Sequence, residues 1–419
     1  MTLVCNVLLI ILAAALLVPV AIVCIECAAA LMPRRRFAAW AASPRPTVAV
    51  LIPAHNEECV IASTIAALRP QLLPGDRLLV VADNCTDATA RIARRAGGCR
   101  CRTDVIERRD RARRGKGYAL DFGLQALSDY PPDVLVIIDA DCRAERGAIG
   151  KLARAASASG RPVQAAYLME QPPDPSSRDC LSALAFTMKN LVRPRGLRRL
   201  GLPCLLAGTG MAFPWHVIRR APLASGNIVE DMQLGIDLAA RGLAPIHCDE
   251  ARVSGRLPKN ESAASAQRTR WEHGHLQTLL GQVPRLIAAG LRRRSIALIA
   301  LAAELSVPPL SLLVMLMSGA IAIAGVAAVC GLWMLPAVML ASGSALLLGS
   351  IVAGWAAFAR KTLPLGRLLA APLYIAWKIP IYLNFIVRRE KAWVRTEREA
   401  APEPQPAMQE EPDYAESIH

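Results

Sequence analysis

The sequence predicts an α/β domain, built on a mostly parallel sheet, joined to transmembrane α-helices. Three observations carry this. Between residues 46 and 290, short apolar runs that end in polar residues alternate with segments of helical periodicity. Residues 3–25 and two stretches after residue 295 are apolar over bilayer-spanning lengths. The chain is also 53% hydrophobic, high for a wholly soluble protein of 419 residues.

The elements follow in order. Residues 3–25 form the first span, within a membrane segment over 1–30. The cluster Arg34, Arg35 and Arg36 comes after this run rather than before it, as a signal peptide would require. By the positive-inside rule the N-terminus lies outside and the chain enters the cytosol at Arg34. TVAVLIPA (47–54) reads as a buried strand, and a helical pattern follows through Ile61, Ile65 and Leu68. RLLVVAD (77–83) is a second strand that ends in an aspartate. TDATARIARRAG (86–97) reads as a helix with Thr86 as cap and Gly97 as stop. VIER (105–108) is a short third strand, KGYALDFGLQAL (116–127) an amphipathic helix, and DVLVIID (133–139) a fourth strand. Strands alternating with helices imply a sheet covered on both faces, with its active rim at the carboxyl ends of the strands.

After residue 295 the polarity disappears. The stretches 304–330 and 333–358 read as a helical hairpin returning to Arg360 and Lys361, with Glu304 near the membrane interface. Residues 368–387 are interrupted by Lys378 and Pro380 and read as an interfacial or third C-terminal segment of the 296–390 region. The Pro- and Glu-rich tail, 400–419, is expected to be disordered. The 12 cysteines form no zinc pattern and are expected to be free thiols. A net charge of +15 favours anionic partners, and with only 5% aromatic residues and no nucleic-acid module these are lipid or nucleotide rather than nucleic acid.

The run VIIDADCRAERG (136–147) raises the chemical question, because a buried strand delivers two aspartates at its exit. If the extended geometry persists, Asp139 and Asp141 aim at one face. Two like charges that close need a positive partner, and a hard divalent cation with free positions for water and substrate phosphate meets the need. A polar turn would read the same way if the pair stood alone. However, Asp83 ends another strand, Asn56 and Glu57 follow the first, and the glycine-spaced RRGKG (113–117) offers cations to a phosphate.

PAHNE (53–57), VADNCTDAT (81–89), RRGKGYAL (113–120), DAD (139–141), VED (229–231) and QRTRW (267–271) together resemble, in order and spacing, the family-2 glycosyltransferases. The resemblance covers roughly residues 46–275, and the membrane layout is similar to that of bacterial polysaccharide synthases. It implies a GT-A catalytic domain over 46–290 and a hexosyl transfer with inversion. Ala54, Asn56 and Glu57 would then line the nucleoside pocket, Asp83 would accept from the base, and Lys116 would lie near the phosphates. Asp139 would contact ribose or metal-bound water, and Asp141 would bind Mg2+ or Mn2+. Asp231 would be the catalytic base, with Glu230, Gln267, Arg270 and Trp271 at the acceptor or diphosphate. The family often has Thr before the Glu-Asp pair, where this chain has Val229. On a helix, Gln267, Arg270 and Trp271 share one face. That motif accompanies processive members of the family. LLAGTGMAF (205–213) stands where the family has its acceptor loop, and His273 and His275 read as polar residues near the acceptor or the membrane surface.

The function expected is transfer of a sugar from a nucleotide-diphosphate donor, a UDP-sugar first, to a saccharide or lipid-linked acceptor in extracellular or cell-envelope polysaccharide synthesis. The expected site is the inner membrane, multi-pass, with the catalytic domain in the cytosol. Few spans for a conduit leave room for an oligomer or an export partner. Two rivals are a single transfer to a polyprenyl phosphate or lipid, and a catalytically silent scaffold that keeps the nucleotide-binding fold. The intact Asp139, Asp141, Asp231 and Trp271 weigh against the scaffold. A transporter is disfavoured because the polar region is larger than the spans.

Overall fold

The computed structural model describes residues 2–33, 40, 43–98, 102–224, 229–256 and 261–387. Arg34 to Arg36 and the 400–419 tail lie outside the described residues. The chain opens with α1 (Thr2–Leu31) and enters the α/β domain through β1 (Val48–Ala54), α2 (Ile61–Leu68), β2 (Arg77–Asp83), α3 (Thr89–Ala96), β3 (Arg102–Arg108), α4 (Lys116–Leu127) and β4 (Val134–Ile137). β5 (Cys142–Ala144), α5 (Ala148–Ser159), β6 (Val163–Glu170), α6 (Ser177–Thr187), α7 (Arg193–Arg199), β7 (Met211–Pro214), α8 (Glu230–Ala240) and β8 (Ile246–Arg256) complete it. The last part is helical: α9 (Glu261–Arg293), α10 (Ile296–Ser306), α11 (Leu310–Val329), α12 (Leu335–Phe358) and α13 (Ala371–Val387).

Eight strands form one sheet in the order β3-β2-β1-β4-β7-β6-β8-β5. β3, β2, β1 and β4 run parallel. β7 is antiparallel to β4 and β6, β6 and β8 are parallel, and β5 is antiparallel to β8. The unbroken apolar run of β1 has a direct cause: Val48, Val50 and Ile52 pack into one core layer, Ala49 and Leu51 into the other. A strand covered on both faces shows no polar alternation. The parallel half leaves Ala54, Asp83 and Ile138 at one rim, where the crevice of such a sheet opens.

Local chemistry corrects several expectations. The helix expected over 86–97 begins at Thr89, because the Asp87 carboxylate accepts from the Thr89 N–H at 3.0 Å and Thr86 lies outside it. β3 runs the full length of β2, seven residues rather than four. β4 ends at Ile137, two residues before Asp139.

Among the described residues, three helices, α1, α11 and α12, are long and apolar enough to cross a membrane. Only 17% to 22% of their most apolar windows is buried, so the remaining apolar surface needs a non-aqueous surround. The stretch expected to start at residue 304 is divided by Pro308 and Pro309, which end α10 and let α11 start afresh at Leu310. Glu304 therefore belongs to α10 and is not interfacial. It is 4% exposed and accepts the Leu205 N–H at 2.9 Å. α10 packs Leu298, Leu301 and Leu305 against Ile236 and Ala239 of α8. α13 has 17 residues, about 25 Å at 1.5 Å per residue, against about 30 Å for a bilayer core.

α1 joins the two parts, packing with α11 and α12 and also with Met188 and Val192 of the α/β domain. Glu26 of α1 is ion-paired with Arg193, the first residue of α7, and Arg193 also donates to the Glu304 carbonyl at 3.0 Å. Gly196 makes this contact close, since a Cβ there would lie 1.9 Å from the Glu26 carbonyl oxygen. Gly196→Ala is expected to separate α7 from α1 and to lower the thermal unfolding midpoint of detergent-purified protein by several degrees. Overpacking of this kind costs about 1–3 kcal/mol, and an unchanged midpoint would mean that the two helices are not in contact.

Candidate active site

The site is assembled at the rim where β1, β2 and β4 end. Leaving β1, Asn56 turns left-handed at φ 55°, and its side-chain oxygen accepts the Thr86 N–H at 2.7 Å. The exit loops of β1 and β2 are thereby tied together, and the Glu57 N–H adds a bond to Thr89 Oγ1 at 2.7 Å. Asp83, the last residue of β2, is 6% exposed and bonded by Arg108 Nη1 at 2.7 Å. Arg108 also donates to the Arg113 carbonyl at 2.9 Å, which folds the basic 109–115 loop over the rim. Gly115 then turns the chain at φ 130° and presents Lys116 as the first residue of α4.

Asp139 and Asp141 come together differently from the expectation. The extended backbone ends at Ile137, so alternation along a strand cannot aim both carboxylates. A turn does so instead: the Cys142 N–H bonds the Asp139 carbonyl at 3.0 Å, and the Asp139 N–H bonds Thr209 Oγ1 at 3.0 Å. Ligand atoms of Asp139, Asp141 and Cys142 fall within 4.8 Å of one another. Burial pushes the Cys142 thiol well above its usual range, with Asp141 and Asp139 adding to the effect, so it stays protonated. Two carboxylates beside a neutral thiol form an oxygen donor set. That set fits Mg2+ or Mn2+, which take few protein ligands and leave positions for phosphate.

Lys116 is the link to the rest. Its ammonium is 2.5 Å from Asp139 Oδ1 and donates to the Gly208 carbonyl at 2.7 Å. Burial pushes its pKa down, but Asp139, Glu230 and Asp231 push it further up, so it is held charged. Gly208 takes φ +84°, and a Cβ there would stand 3.4 Å from Asp231 Oδ2 and 3.6 Å from Lys116 Nζ. The loop thus reaches the gap between the cation and the acid. Glu230 and Asp231 are the first two residues of α8, where the helix dipole favours negative charge. Burial nevertheless raises both carboxyls, Glu230 to about 7, and Lys116 is the main opposing charge for each.

The opposite wall comes from α9. Gln267, Arg270 and Trp271 lie on its cavity side, and the Trp271 ring leans on Phe186 at 5.9 Å. Gln267 is 7% exposed, and its carbonyl oxygen has no partner among the described residues. His273 and His275 are not at the surface. They are 1% and 3% exposed and bond the carbonyls of Ile381 and Val307 at 2.8 and 3.1 Å, pinning α9 to its neighbours.

Ala54, Asn56, Glu57, Asp83, Lys116, Asp139, Asp141, Glu230, Asp231, Gln267, Arg270 and Trp271 all line one cavity of about 1470 Å³. The same cavity continues past residues that sequence reasoning did not single out, among them Lys189, Asn190, Arg193 and Ser311. No periodicity marks these, because Lys189 and Asn190 sit on a π-helical turn, Met188–Val192.

Residues 44–274, more than half of the chain, match the family described as Glycosyltransferase like family 2, and the chain belongs to it. The curled mixed sheet with flanking helices is its GT-A arrangement. The chain is similar to a probable glycosyltransferase, YdaM, of Bacillus subtilis (strain 168), with 38% identity over 110 residues. That stretch spans a quarter of this chain and a quarter of the length of that relative. Among solved structures, the mannosyltransferase PcManGT from Pyrobaculum calidifontis, in complex with GDP-Man and Mn2+, is similar at 20% identity and a TM-score of 0.49. That match covers 88% of this chain and 99% of the other. Glucosyl-3-phosphoglycerate synthase from Mycobacterium tuberculosis, with Mn2+, UDP and phosphoglyceric acid, is similar at 24% identity and a TM-score of 0.36, over 57% of this chain and 80% of that one.

The acidic pair sets a pH dependence. A carboxyl raised to about 7 is protonated below that pH and cannot accept a further proton. Burial raises Asp231 as well as Glu230, so turnover is expected to fall with an acid limb above the ordinary carboxylate range, and Lys116→Met should move this limb to higher pH by removing the main charge that lowers both groups. An acid limb near 4, in a pH-rate profile of the intact enzyme, would exclude the pair from the rate-limiting step.

Proposed function

We propose that the chain is an inverting, metal-dependent glycosyltransferase that moves a hexose from a nucleotide diphosphate, a UDP-sugar first, to a hydroxyl of a saccharide or lipid-linked acceptor. The supporting observation is the convergence of the Asp139–Asp141 turn, Lys116, the Glu230–Asp231 pair and the Gln267–Trp271 face on one cavity. Ala54, Asn56 and Glu57 line the nucleoside end, and Asp83 has carboxylate lone pairs to spare for a base N–H beside its bond to Arg108. Asp139 and Asp141 would hold a divalent cation, which when bound would neutralise charge on the departing diphosphate. Lys116 adds a fixed cation to the same end.

Asp231 acts as base. The acceptor oxygen forms its bond to the anomeric carbon while the bond from that carbon to the diphosphate oxygen breaks. The proton passes to Asp231 and the electron pair leaves with the nucleoside diphosphate, so one carboxylate serves where a hydrolase needs two. Glu230 and Arg270 orient the acceptor or the diphosphate, and Trp271 offers a flat apolar face to a sugar ring. Because nucleotide sugars are made in the cytosol, we read the domain as facing it at the inner membrane, with an extracellular or cell-envelope polysaccharide as the product.

The decisive experiment is turnover of a panel of nucleotide sugars by detergent-purified protein, with Mn2+ or EDTA, reading released nucleotide and product mass. Metal-dependent release from one donor is expected, and a ladder of products would mark a synthase. Two variants locate the chemistry. Asp231→Asn should lower transfer by at least about a hundredfold, in line with loss of a general base, while UDP binding survives; normal transfer would remove Asp231 from the mechanism. Asp141→Ala should abolish the Mn2+ dependence of UDP affinity in calorimetry, and an intact dependence would place the cation elsewhere.

A further inference from the structure

The segment from Cys204 to Gly210 crosses the site without helix or strand, and Gly208 and Gly210 both take left-handed backbone, at φ +84° and +66°. A helix or strand satisfies its backbone groups by repetition. This strap has them met from elsewhere. Its ends join neighbouring backbone, the Cys204 N–H bonding the Pro245 carbonyl and the Gly210 N–H the Ile137 carbonyl, each at 3.0 Å. Between the ends the partners are side chains. The Leu205 N–H donates to the Glu304 carboxyl at 2.9 Å, and the Ala207 N–H donates to Gln164 Oε1 at 2.8 Å. The Gly208 carbonyl accepts from Lys116, and the Thr209 carbonyl accepts from Gln164 Nε2 at 2.9 Å.

Glu304 and Gln164 come to this strap from opposite sides, Glu304 from α10 and Gln164 from β6. Neither belongs to a motif read from the sequence, and Glu304 lies beyond residue 274, where the family match ends. They are 4% and 2% exposed. Polar groups buried so far cost stability unless their atoms are bonded, and the bonds these two make go to the strap. Arg193 does not compete for the Glu304 carboxyl: it pairs with Glu26 and donates to the main-chain carbonyl of Glu304. Burial raises the Glu304 carboxyl to about 8, with Glu26 adding to the effect and Arg193 opposing it, so glutamine is its uncharged counterpart near neutral pH. The strap in turn sets two groups of the site. Its Gly208 carbonyl holds Lys116 at 2.7 Å, and its Thr209 hydroxyl accepts the Asp139 N–H at 3.0 Å.

We propose that Glu304 and Gln164 are positioning residues for the transfer step, which hold the strap so that its Gly208 carbonyl fixes Lys116 beside Asp139, Glu230 and Asp231. The inference rests on the proposed function and adds to it two residues that act through Lys116 rather than on the reacting atoms. Loss of either acceptor leaves a buried N–H, of Leu205 or of Ala207, without its partner. The strap then shifts, Lys116 loses its carbonyl, and the charge that opposes burial at the acidic pair is no longer held in place. The nucleoside end is fastened by separate bonds, Asn56 to Thr86 and Asp83 to Arg108, so donor binding does not depend on the strap. Because Glu26 and Glu304 share Arg193, the same chain of contacts ties α1 to the loop that holds the catalytic cation.

The test uses the full chain in a neutral detergent and three readouts: kcat for nucleotide release from the productive nucleotide sugar, UDP affinity with Mn2+ by calorimetry, and hydrogen exchange of the Leu205–Gly208 amides by mass spectrometry. Glu304→Met keeps the bulk of the side chain but removes the acceptor. It is expected to lower kcat and to speed exchange in the strap, each by about tenfold, the size of one net hydrogen bond. UDP affinity should stay unchanged. Glu304→Gln keeps the acceptor oxygen and should restore both kcat and exchange to the wild-type level, a rescue that packing alone does not predict. Gln164→Met should reproduce the pattern of Glu304→Met from the other side of the strap. Wild-type kcat and exchange in either methionine variant would overturn the role of that residue, and a Glu304→Gln protein as impaired as Glu304→Met would overturn the acceptor argument. A wild type that turns over no donor would count against the proposed function alone, because exchange in the variants still decides whether the two residues hold the strap. Should Glu304→Met fail to fold, Gln164→Met decides on the same readouts.

Discussion

One ammonium group organises the site. Asp139, Glu230 and Asp231 bring three carboxylates into a buried space, an arrangement that charge repulsion and desolvation both oppose. Lys116 answers both costs. It bonds Asp139 directly, fixes the Gly208 carbonyl, and sits in the field of the two acids that open α8. The turn after β4, the loop before β7 and the first turn of α8 come from distant parts of the chain, and each takes its place relative to this cation. Gly208 suits this place through its backbone, since φ +84° is a conformation L side chains rarely adopt, while a Cβ there would stand only at contact distance from Lys116 and Asp231.

Much of the fold was legible because the parallel half of the sheet is buried on both faces. β1, β2 and β4 have no polar alternation to confuse the reading, and their polar exits, Asn56, Asp83 and Asp139, stand out against the apolar runs. In the second half of the sheet, β5 and β7 were not read because they have three and four residues, too short for any periodicity. The residues of the candidate site were legible as motifs, but their geometry was not. Asp139 and Asp141 meet through a turn held by Thr209, seventy residues away from Asp139, and spacing in the sequence carries no trace of such a contact. The π-helical turn at Met188–Val192 was invisible for a related reason, because its hydrogen-bond offset differs from the period on which helix recognition depends.

The membrane part shows the same division. Apolar length identified α1, α11 and α12, while the role of α10 depends on its neighbours. Its apolar face resembles a membrane segment in composition, yet it covers α8 and offers Glu304 to the backbone of the loop that leads to Gly208. The two prolines that follow allow α10 to belong to the catalytic domain and α11 to the membrane layer. α9 shares both allegiances: its Gln267–Trp271 face lines the cavity, and His273 and His275 tie it to α13 and to the segment before α11.

The pairing of Glu26 with Arg193 has a meaning for how the protein is made. The two residues are 167 positions apart, and the acid is synthesised first, inside the helix that opens the chain. An acidic group within an apolar helix is costly until it finds a partner. In a chain made from its N-terminus, Glu26 is therefore without this partner until α7 has been synthesised, and the seat of α1 against α7 is set only then. The seating of α1 and the folding of the domain are in this way coupled, because the residue that answers Glu26 belongs to the domain and is made later.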